Sequence, residues 1–392
     1  MNGMPPTAPP SDSRRGFLRI AGFASMASAA AACAPTAAPA PAAQGGASAA
    51  PAAKAAWEAE WEKLVAAAKQ EGGLKVLTTA GGGYRKALDV FEKTFPGIAV
   101  EHEAFSSASL VMPKIRQERT AGVYSYDAAV FSVRSFLQNL RPEGVVDPVR
   151  DLIIRPDVMD DKAWSEGYER GYVDSGKKVV YVARWSLGNA FWINTDVIKE
   201  GELKSVKDLL DPKWKGKMIF SDVRSGNIVP PMFAIKTNLG EDVVRKLIVD
   251  QQPSFRRDDR QVAEGMVRGQ FPIGMGVRGA VLVEFTDQGL GKNLKPIDLP
   301  EARVVLSSSG VWAFNKASHP NAAKLFINWV LTKEGQLAWN LTETDNSRRL
   351  DVPPIDPATT PTPEKKAVYA ASEEMLDRLD EIRQAMEKMV AG

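Results

Sequence analysis

The apolar positions from Trp57 onward alternate between the helical period and the spacing of a buried strand. Residues 57–69 keep the helical period up to Gly72 and Gly73, and the apolar run 74–77 that follows predicts a strand. The same alternation predicts helices over 84–95 and 109–121 and strands over 98–101 and 126–131. Because strands that alternate with helices form parallel sheets, we expect a protein of the α/β class.

The later part of the chain repeats this alternation. It predicts strands over 217–220 and 271–275 and helices over 319–331 and 333–341. Residues 345–362 are rich in proline and are expected to be irregular. From 363 to 390 apolar side chains recur at helical spacing, and they are Val368, Met375, Leu376, Leu379, Ile382, Met386 and Val390. This pattern predicts a final helix that packs on the body of the protein, with a partner-binding helix as the alternative.

Hydroxyl side chains follow the first three predicted strands. Thr79, Ser107 and Ser132 lie in loops that lead from a strand toward a helix. In parallel sheets ligands bind at the carboxyl ends of the strands, and helix N-termini favour anionic or polar groups. These residues are therefore candidate ligand contacts, although Ser and Thr at such positions also serve as helix N-caps.

The composition of the first 54 residues differs from the rest. Arg14 and Arg15 precede the weakly apolar segment 20–32, and Cys33, the chain's one cysteine, follows it. This order is typical of a cleaved twin-arginine lipoprotein signal over 1–32, with lipid on Cys33 as the membrane anchor. Residues 33–54 are almost all Ala, Pro, Gly and Ser, which predicts an unfolded tether. We therefore expect export by the twin-arginine route to the periplasm or the outer face of the cell membrane.

Charge and motifs exclude several functions. The formal net charge is +2, and Arg14, Arg15 and Arg19 against Asp12 place that excess in the signal. A near-neutral remainder argues against nucleic acid as a partner. The chain has two histidines, His102 and His319, and no phosphate-binding GxxxxGK[ST] or nucleophile GxSxG motif. We expect no enzyme, no cofactor and no metal site.

The segments FWINTDVI at 191–198 and LLDPKWKGKM at 209–218 are the clearest of several motifs along the chain. In their order they resemble the extracellular solute-binding proteins of bacterial ABC transporters (family 1). FEKTFPGIAVE at 91–101, VAEG at 262–265 and HPNAAKLFI at 319–327 are similar to the same family. The branch they indicate contains binders of ferric iron, thiamine and polyamines.

The resemblance implies a two-lobed type II periplasmic-binding-protein fold, with mainly parallel sheets joined by two crossings near 184–191 and 296–309. Lobe 1 would comprise 55–188 and 300–392, and lobe 2 would comprise 189–299. A ligand would lie between the lobes. The resemblance adds the following candidate contacts: Trp185, Asn189, Asp222, Arg224, Ser225, Arg257 and Arg278.

The three arginines favour a small anionic solute, such as an organic carboxylate, a phosphonate or a phosphate ester, because the guanidinium fork binds such groups bidentately. Iron binders of the resembled family use two adjacent tyrosines, and no two tyrosines are adjacent in this chain. The resemblance therefore disfavours free ferric iron. A ferric chelate, a polyamine and thiamine remain alternatives within the family. An enzyme or a structural lipoprotein on the same fold is the alternative of another class. The expected partners are the solute and the permease subunits of an ABC transporter, and we expect a monomer.

Overall fold

The computed structural model describes residues 50–80, 82–105, 108–188, 190–224, 227–277, 279–307, 309–342, 345–370 and 372–391. The export signal with Arg14 and Arg15, and Cys33, lie outside the described residues, as do Ser107, Asn189, Ser225 and Arg278. None of the helices in the described ranges combines the length and the apolar character that a bilayer span requires.

The first sheet has five strands in the order β2-β1-β3-β12-β4. These strands are β1 (Gly73–Thr79), β2 (Ala99–Phe105), β3 (Ala128–Phe131), β4 (Val146–Asp147) and β12 (Gly310–Phe314). β1 pairs in parallel with β2 and β3, and β12 runs antiparallel to β3 and β4. The sheet is therefore mixed, and the predicted strand–helix alternation along its first part is confirmed.

The helices of this part of the chain cover the first sheet. They are α1 (Ala50–Glu71), α2 (Gly82–Thr94), α3 (Ala108–Thr120), α4 (Val133–Ser135), α5 (Val149–Leu152), α6 (Pro156–Met159), α11 (Pro320–Val330) and α12 (Lys333–Trp339). Buried side chains from 64–183 and 311–339 form one core with the sheet, which includes Trp312 and Trp339. α1 begins at Ala50, inside the segment expected to be a tether, because the alanines at its start favour helix.

The second sheet also has five strands, in the order β10-β6-β9-β7-β8. They are β6 (Phe191–Asn194), β7 (Met218–Ser221), β8 (Ser254–Arg256), β9 (Ile273–Met275) and β10 (Leu294–Ile297). β7 is parallel to both β8 and β9, whereas β6 is antiparallel to β9 and β10. The helices α7 (Val229–Leu239), α8 (Glu241–Arg245), α9 (Asp259–Val267) and α10 (Gly279–Thr286) follow its strands.

We call the first sheet with its helices the first lobe, and the second sheet with its helices the second lobe. A third, small sheet lies where the chain passes between them. β5 (Arg184–Gly188) pairs antiparallel with β11 (Val304–Leu306), and β13 (Asn346–Ser347) and β14 (Val368–Tyr369) add to either side. β5 and β11 coincide with the two segments expected to join the lobes. Their side chains Trp185, Leu187 and Val305 form a cluster of their own. We call this four-stranded sheet the hinge sheet.

The end of the chain differs from the prediction in two ways. The final helix is α13 (Glu373–Ala391), while residues 363–365 form a 3₁₀ turn and Val368 belongs to β14. The helical stripe fails at Val368 because its backbone pairs with Val304 of β11, a contact that local sequence does not show. The expected boundaries also place 300–392 in lobe 1, but Met375, Leu379, Ile382 and Met386 of α13 join the core of the second sheet.

Candidate ligand-binding cleft

A cavity of about 680 Å³ lies between the hinge sheet and the second lobe. The hinge strands contribute Ser186, Leu187 and Gly188 of β5 and Val304 and Leu306 of β11. The second lobe contributes Trp192, Asn227, Pro230, Pro231, Gly276 and Val277, among others, and the segment after α12 contributes Asp345, Asn346, Ile355, Asp356 and Thr359. A volume of this size suits a small organic solute.

An adjoining cavity of about 280 Å³ extends the site to the first lobe. It shares Asn227, Pro230, Leu306 and Ser307 with the larger cavity, and it is also lined by Ser132 and Arg134 of the first lobe. The two cavities therefore form one cleft with walls on both lobes. Ser132, predicted from the sequence, lies in that wall.

Thr79 and Trp185 both belong to strands, Thr79 to β1 of the first sheet and Trp185 to β5 of the hinge sheet. Thr79 ends β1, and within the described residues its buried hydroxyl oxygen has no hydrogen-bond partner. Trp185 is 4% exposed; its ring lies 5.5 Å from that of Tyr369 and 4.6 Å from the guanidinium carbon of Arg348. Trp185 therefore packs inside the hinge sheet, and it borders a much smaller void on that side.

Asp222 brings two of the predicted arginines together. Its carboxylate accepts hydrogen bonds from Arg224 at 2.7 Å from Nε and 2.5 Å from Nη2, and Arg257 Nε lies 3.9 Å away. The hydrogen bonds from Arg224 lower the pKa of Asp222 even though burial opposes this. Both arginine side chains remain largely exposed, at 56% for Arg224 and 80% for Arg257. One carboxylate thus faces two cations, which leaves positive charge at the surface of this loop.

The strand order explains why these residues meet. β8, β7 and β9 are parallel neighbours, so the loops after them leave from the same edge of the second sheet. Ser221, at the end of β7, donates a hydrogen bond of 3.0 Å to the carbonyl of Gly276, the residue that follows β9 in the chain. Val277 and Gly279 both line the larger cavity, and they flank Arg278. The chain neighbours of Asn189, Gly188 and Ala190, line it as well.

Sequence reasoning missed a polar wall of the cavity that is built around Asn346. The Asn346 side chain donates hydrogen bonds of 2.9 Å to the carbonyl of Asp356 and of 3.1 Å to the Thr359 hydroxyl. It also accepts a hydrogen bond of 2.9 Å from the backbone amide of Asp356. The backbone amide of Asn346 donates a hydrogen bond of 3.2 Å to the Ser186 hydroxyl of β5. All four residues line the cavity. Residues 345–362 were expected to be irregular, and nothing in their pattern shows that they fold against the hinge sheet.

Two buried arginines belong to the hinge sheet or its immediate flank: Arg184 is the first residue of β5, and Arg348 follows β13. Arg348 donates to the carbonyls of Val182, Ser165 and Gly167 at 2.8–2.9 Å. Arg184 donates to the Asn340 amide oxygen at 2.9 Å and to the carbonyl of Asp345, and burial lowers its pKa to about 10. Backbone carbonyls carry partial charge, so they stabilise these cations, and the charge of Asp345 also favours the charged form of Arg184.

The histidines lie elsewhere and have structural roles. His319 Nδ1 lies 2.8 Å from the buried carboxylate of Asp127, and His102 Nε2 lies 2.7 Å from the Thr78 hydroxyl. Among the described residues, no three His, Cys, Asp or Glu side chains are arranged to hold a metal ion.

Two lobes, a hinge sheet and a cleft between them define a type II periplasmic-binding-protein fold, and solved structures of that fold match this chain. Iron-bound HitA from Pseudomonas aeruginosa matches 80% of this chain and 99% of its own, with a TM-score of 0.57 and 17% identity. The spermidine/putrescine ABC transporter substrate-binding protein PotD from Streptococcus pneumoniae matches 81% of this chain and 99% of its own, with a TM-score of 0.59 and 17% identity. AfuA from Actinobacillus pleuropneumoniae, with fructose-6-phosphate bound, matches 81% of this chain and 99% of its own, with a TM-score of 0.53 and 19% identity.

Sequence comparison gives the family. The chain belongs to the bacterial extracellular solute-binding proteins, whose family pattern matches residues 86–346. An uncharacterized protein of Haemophilus influenzae is 28% identical over 160 residues, which are 38% of this chain and 44% of that relative. The chain thus aligns with less than half the length of this curated relative.

Proposed function

We propose that this protein captures a small solute between its two lobes and delivers it to the permease of an ABC importer. The observation that carries the proposal is the cleft itself: two adjoining cavities with wall residues in common, lined by Ser132 and Arg134 of the first lobe, by both hinge strands and by the second lobe. A ligand that contacts both lobes favours the state in which they are close, because only that state supplies all of its contacts. Rotation about β5 and β11 is the motion that would bring them together.

We propose an anionic solute, such as a carboxylate, a phosphonate or a phosphate ester. Arg224 and Arg257 follow β7 and β8, whose carboxyl ends lie at one edge of the second sheet. The two arginines already meet at Asp222, and their exposed side chains retain donors for a further anion. In sequence, Arg278 stands between Val277 and Gly279, which line the larger cavity.

A cationic solute is the second candidate, and the acidic residues of the polar wall favour it. Asp345 and Asp356 line the larger cavity together with Trp192. Carboxylates attract ammonium groups, and an indole ring stabilises a cation placed over its face. The two candidates predict opposite responses to ligand charge, so one screen distinguishes them.

The experiment is a thermal-shift screen of the full chain against dicarboxylates, phosphonates, phosphate esters, ferric citrate, polyamines, thiamine and sugars. A ligand at one hundred times its dissociation constant stabilises the folded state by about 2.7 kcal/mol, which is readily visible. A hit among the anions supports the first candidate, and a hit confined to polyamines or thiamine supports the second. Turnover of any of these compounds would instead indicate an enzyme. No shift with any of them would contradict both candidates.

The anion proposal also predicts the effect of one substitution. Arg278→Ala should weaken binding of the anionic hit by 1 kcal/mol or more, the size of a charge-assisted hydrogen bond. Arg268→Ala is the matched control, since Arg268 is an exposed arginine of the same lobe whose guanidinium lies 3.7 Å from Glu264. Unchanged affinity in Arg278→Ala would exclude Arg278 as a ligand contact.

We further propose export by the twin-arginine route and anchoring by lipid on Cys33. Replacing Arg14 and Arg15 by lysines should retain the protein in the cytoplasm. Cys33→Ser should release it from the membrane fraction without loss of export. If both variants fractionate like the parent protein, the assignment of these residues fails.

A further inference from the structure

The C-terminal helix α13 contacts both lobes through two different faces. Met375, Leu379, Ile382 and Met386 follow one another at spacings of four, three and four, and all four are buried in the core of the second sheet. Glu373, Leu376 and Asp380 follow at spacings of three and four and form a neighbouring face. Leu376 packs against the core of the first lobe.

The second face makes polar contacts with the first lobe, although Asp380 also lies 3.5 Å from Nε of Arg383 on α13 itself. Glu373 forms an ion pair with Arg141, accepts a hydrogen bond of 2.6 Å from the amide of Ser175, and donates its own amide to the carbonyl of Val173 at 2.8 Å. Two turns further, Asp380 lies 3.1 Å from Nη2 of Arg134. We call Arg141–Glu373 and Arg134–Asp380 the interlobe ion pairs.

The chain reaches α13 through the hinge sheet. β14 pairs in parallel with β11, and Tyr369 packs its ring on Trp185. α13 therefore follows a third passage of the chain between the lobes, in addition to β5 and β11. Leu376 and Leu379 also line the 280 Å³ cavity, so the helix forms one end of the cleft.

The two sets of contacts differ in strength. Four buried apolar side chains hold α13 on the second lobe, and burying each of them is strongly favourable. The side chains of the interlobe ion pairs are 28–39% exposed, and ion pairs of that kind are weak and screened by salt. When the lobes separate, α13 should stay with the second lobe while its contacts with the first lobe break.

We propose that α13 is a third connection between the lobes, and that its interlobe ion pairs bias the ligand-free protein toward the closed state. The helix travels with the second lobe and closes one end of the cleft when Glu373 and Asp380 meet their arginines. This inference rests on the lobe motion of the proposed function, but it makes no use of the charge or the identity of the solute.

The test measures the distance between the lobes without ligand. In the full chain with Cys33→Ser no cysteine remains, so spin labels can be attached at Gln117→Cys on α3 and Arg245→Cys on α8, both exposed positions. The double variant Glu373→Gln/Asp380→Asn should raise the ratio of open to closed molecules about fivefold. At 1.4 kcal/mol per factor of ten this equals about 1 kcal/mol. Raising the salt concentration to 1 M should move the parent protein in the same direction.

The matched control is Glu374→Gln/Glu381→Gln. It removes two carboxylates from the same two turns of α13, and both are exposed. Its distance distribution should equal that of the parent, and the exchanged pair Arg134→Asp/Asp380→Arg should restore closure relative to Asp380→Arg alone. The proposal is overturned if the double variant keeps the parent distribution, or if the control opens equally. Binding of the panel by the parent protein is measured separately, so the two proposals can fail independently.

Discussion

Asn346 offers the sharpest test of how the cavity wall is built. Its side-chain amide is 1% exposed and makes three hydrogen bonds, all to Asp356 and Thr359. Through the Ser186 hydroxyl, the Asn346 backbone also holds this wall to β5. Asn346→Ala removes the three side-chain bonds and leaves the backbone contact in place. We predict that it loosens the wall and leaves the two lobes folded.

The magnitude follows from the contacts. Each hydrogen bond contributes about 0.5–1.5 kcal/mol net, and a buried group left unpaired costs more. Asp356 is exposed, so water can take over part of the lost bonding. We therefore expect the free energy of unfolding to fall by about 2 kcal/mol. Since the wall must then be ordered by the ligand, we expect affinity for the solute to fall about tenfold, equivalent to 1.4 kcal/mol.

Urea unfolding followed by tryptophan fluorescence measures the first quantity, and calorimetric titration with the hit of the ligand screen measures the second. Thr360→Val is the control, because its hydroxyl donates to the same Asp356 carbonyl at 3.3 Å and has no bond to Asn346. It should cost about 0.5 kcal/mol or less. An Asn346→Ala protein within 0.5 kcal/mol of the parent, with unchanged affinity, would refute this account of the wall.

Two further predictions concern the backbone behind the cleft and the acid stability of the first lobe. Gly276→Ala should destabilise the protein by about 2 kcal/mol, since φ is +82° and the new Cβ would lie 2.9 Å from Ser221 Oγ. Gly269→Ala, at φ +70° with open space around it, should cost only about 1 kcal/mol, and equal losses in urea unfolding would contradict the steric argument. Burial alone would raise the pKa of Glu103, but hydrogen bonds from Tyr126, Lys75 and Lys114 outweigh it and lower that pKa to about 2. Glu103 thus stabilises the fold above its ordinary pKa of 4.5, and this contribution is lost as the pH falls toward 2. Tyr126→Phe should therefore move the acid-unfolding midpoint, followed by circular dichroism, to higher pH; an unchanged midpoint would show that the hydrogen bond from Tyr126 does not control Glu103.

Local patterns were sufficient for part of each sheet. The helices α2 and α3 and the strands β1, β2 and β3 lie within a few residues of their predicted bounds, because each has a regular apolar face and a Gly, Pro or polar boundary. The ordered motifs also predicted the family, which the match over 86–346 confirms. β5 and β11 lie within the two segments that were predicted to join the lobes.

Contacts distant in sequence decided the candidate site. Asn346 lies 160 residues from Ser186, and the bond between them exists only because β13 pairs with β5. Trp185 and Trp192 are each the second residue of a strand, yet the first is enclosed by the hinge sheet and the second lines the cavity. A strand alternates its faces, but which face meets solvent depends on what packs against it.

The sequence by itself therefore determined the class of fold, the family and the order of the elements, since these follow from periodicity and from short motifs that act over a few residues. Only the tertiary structure decided which residues form the cleft, that Asp222 joins two arginines, and that α13 contacts both lobes. Those features depend on strand order and on packing between segments that are distant in the chain, and a single sequence does not encode such neighbours in any local pattern.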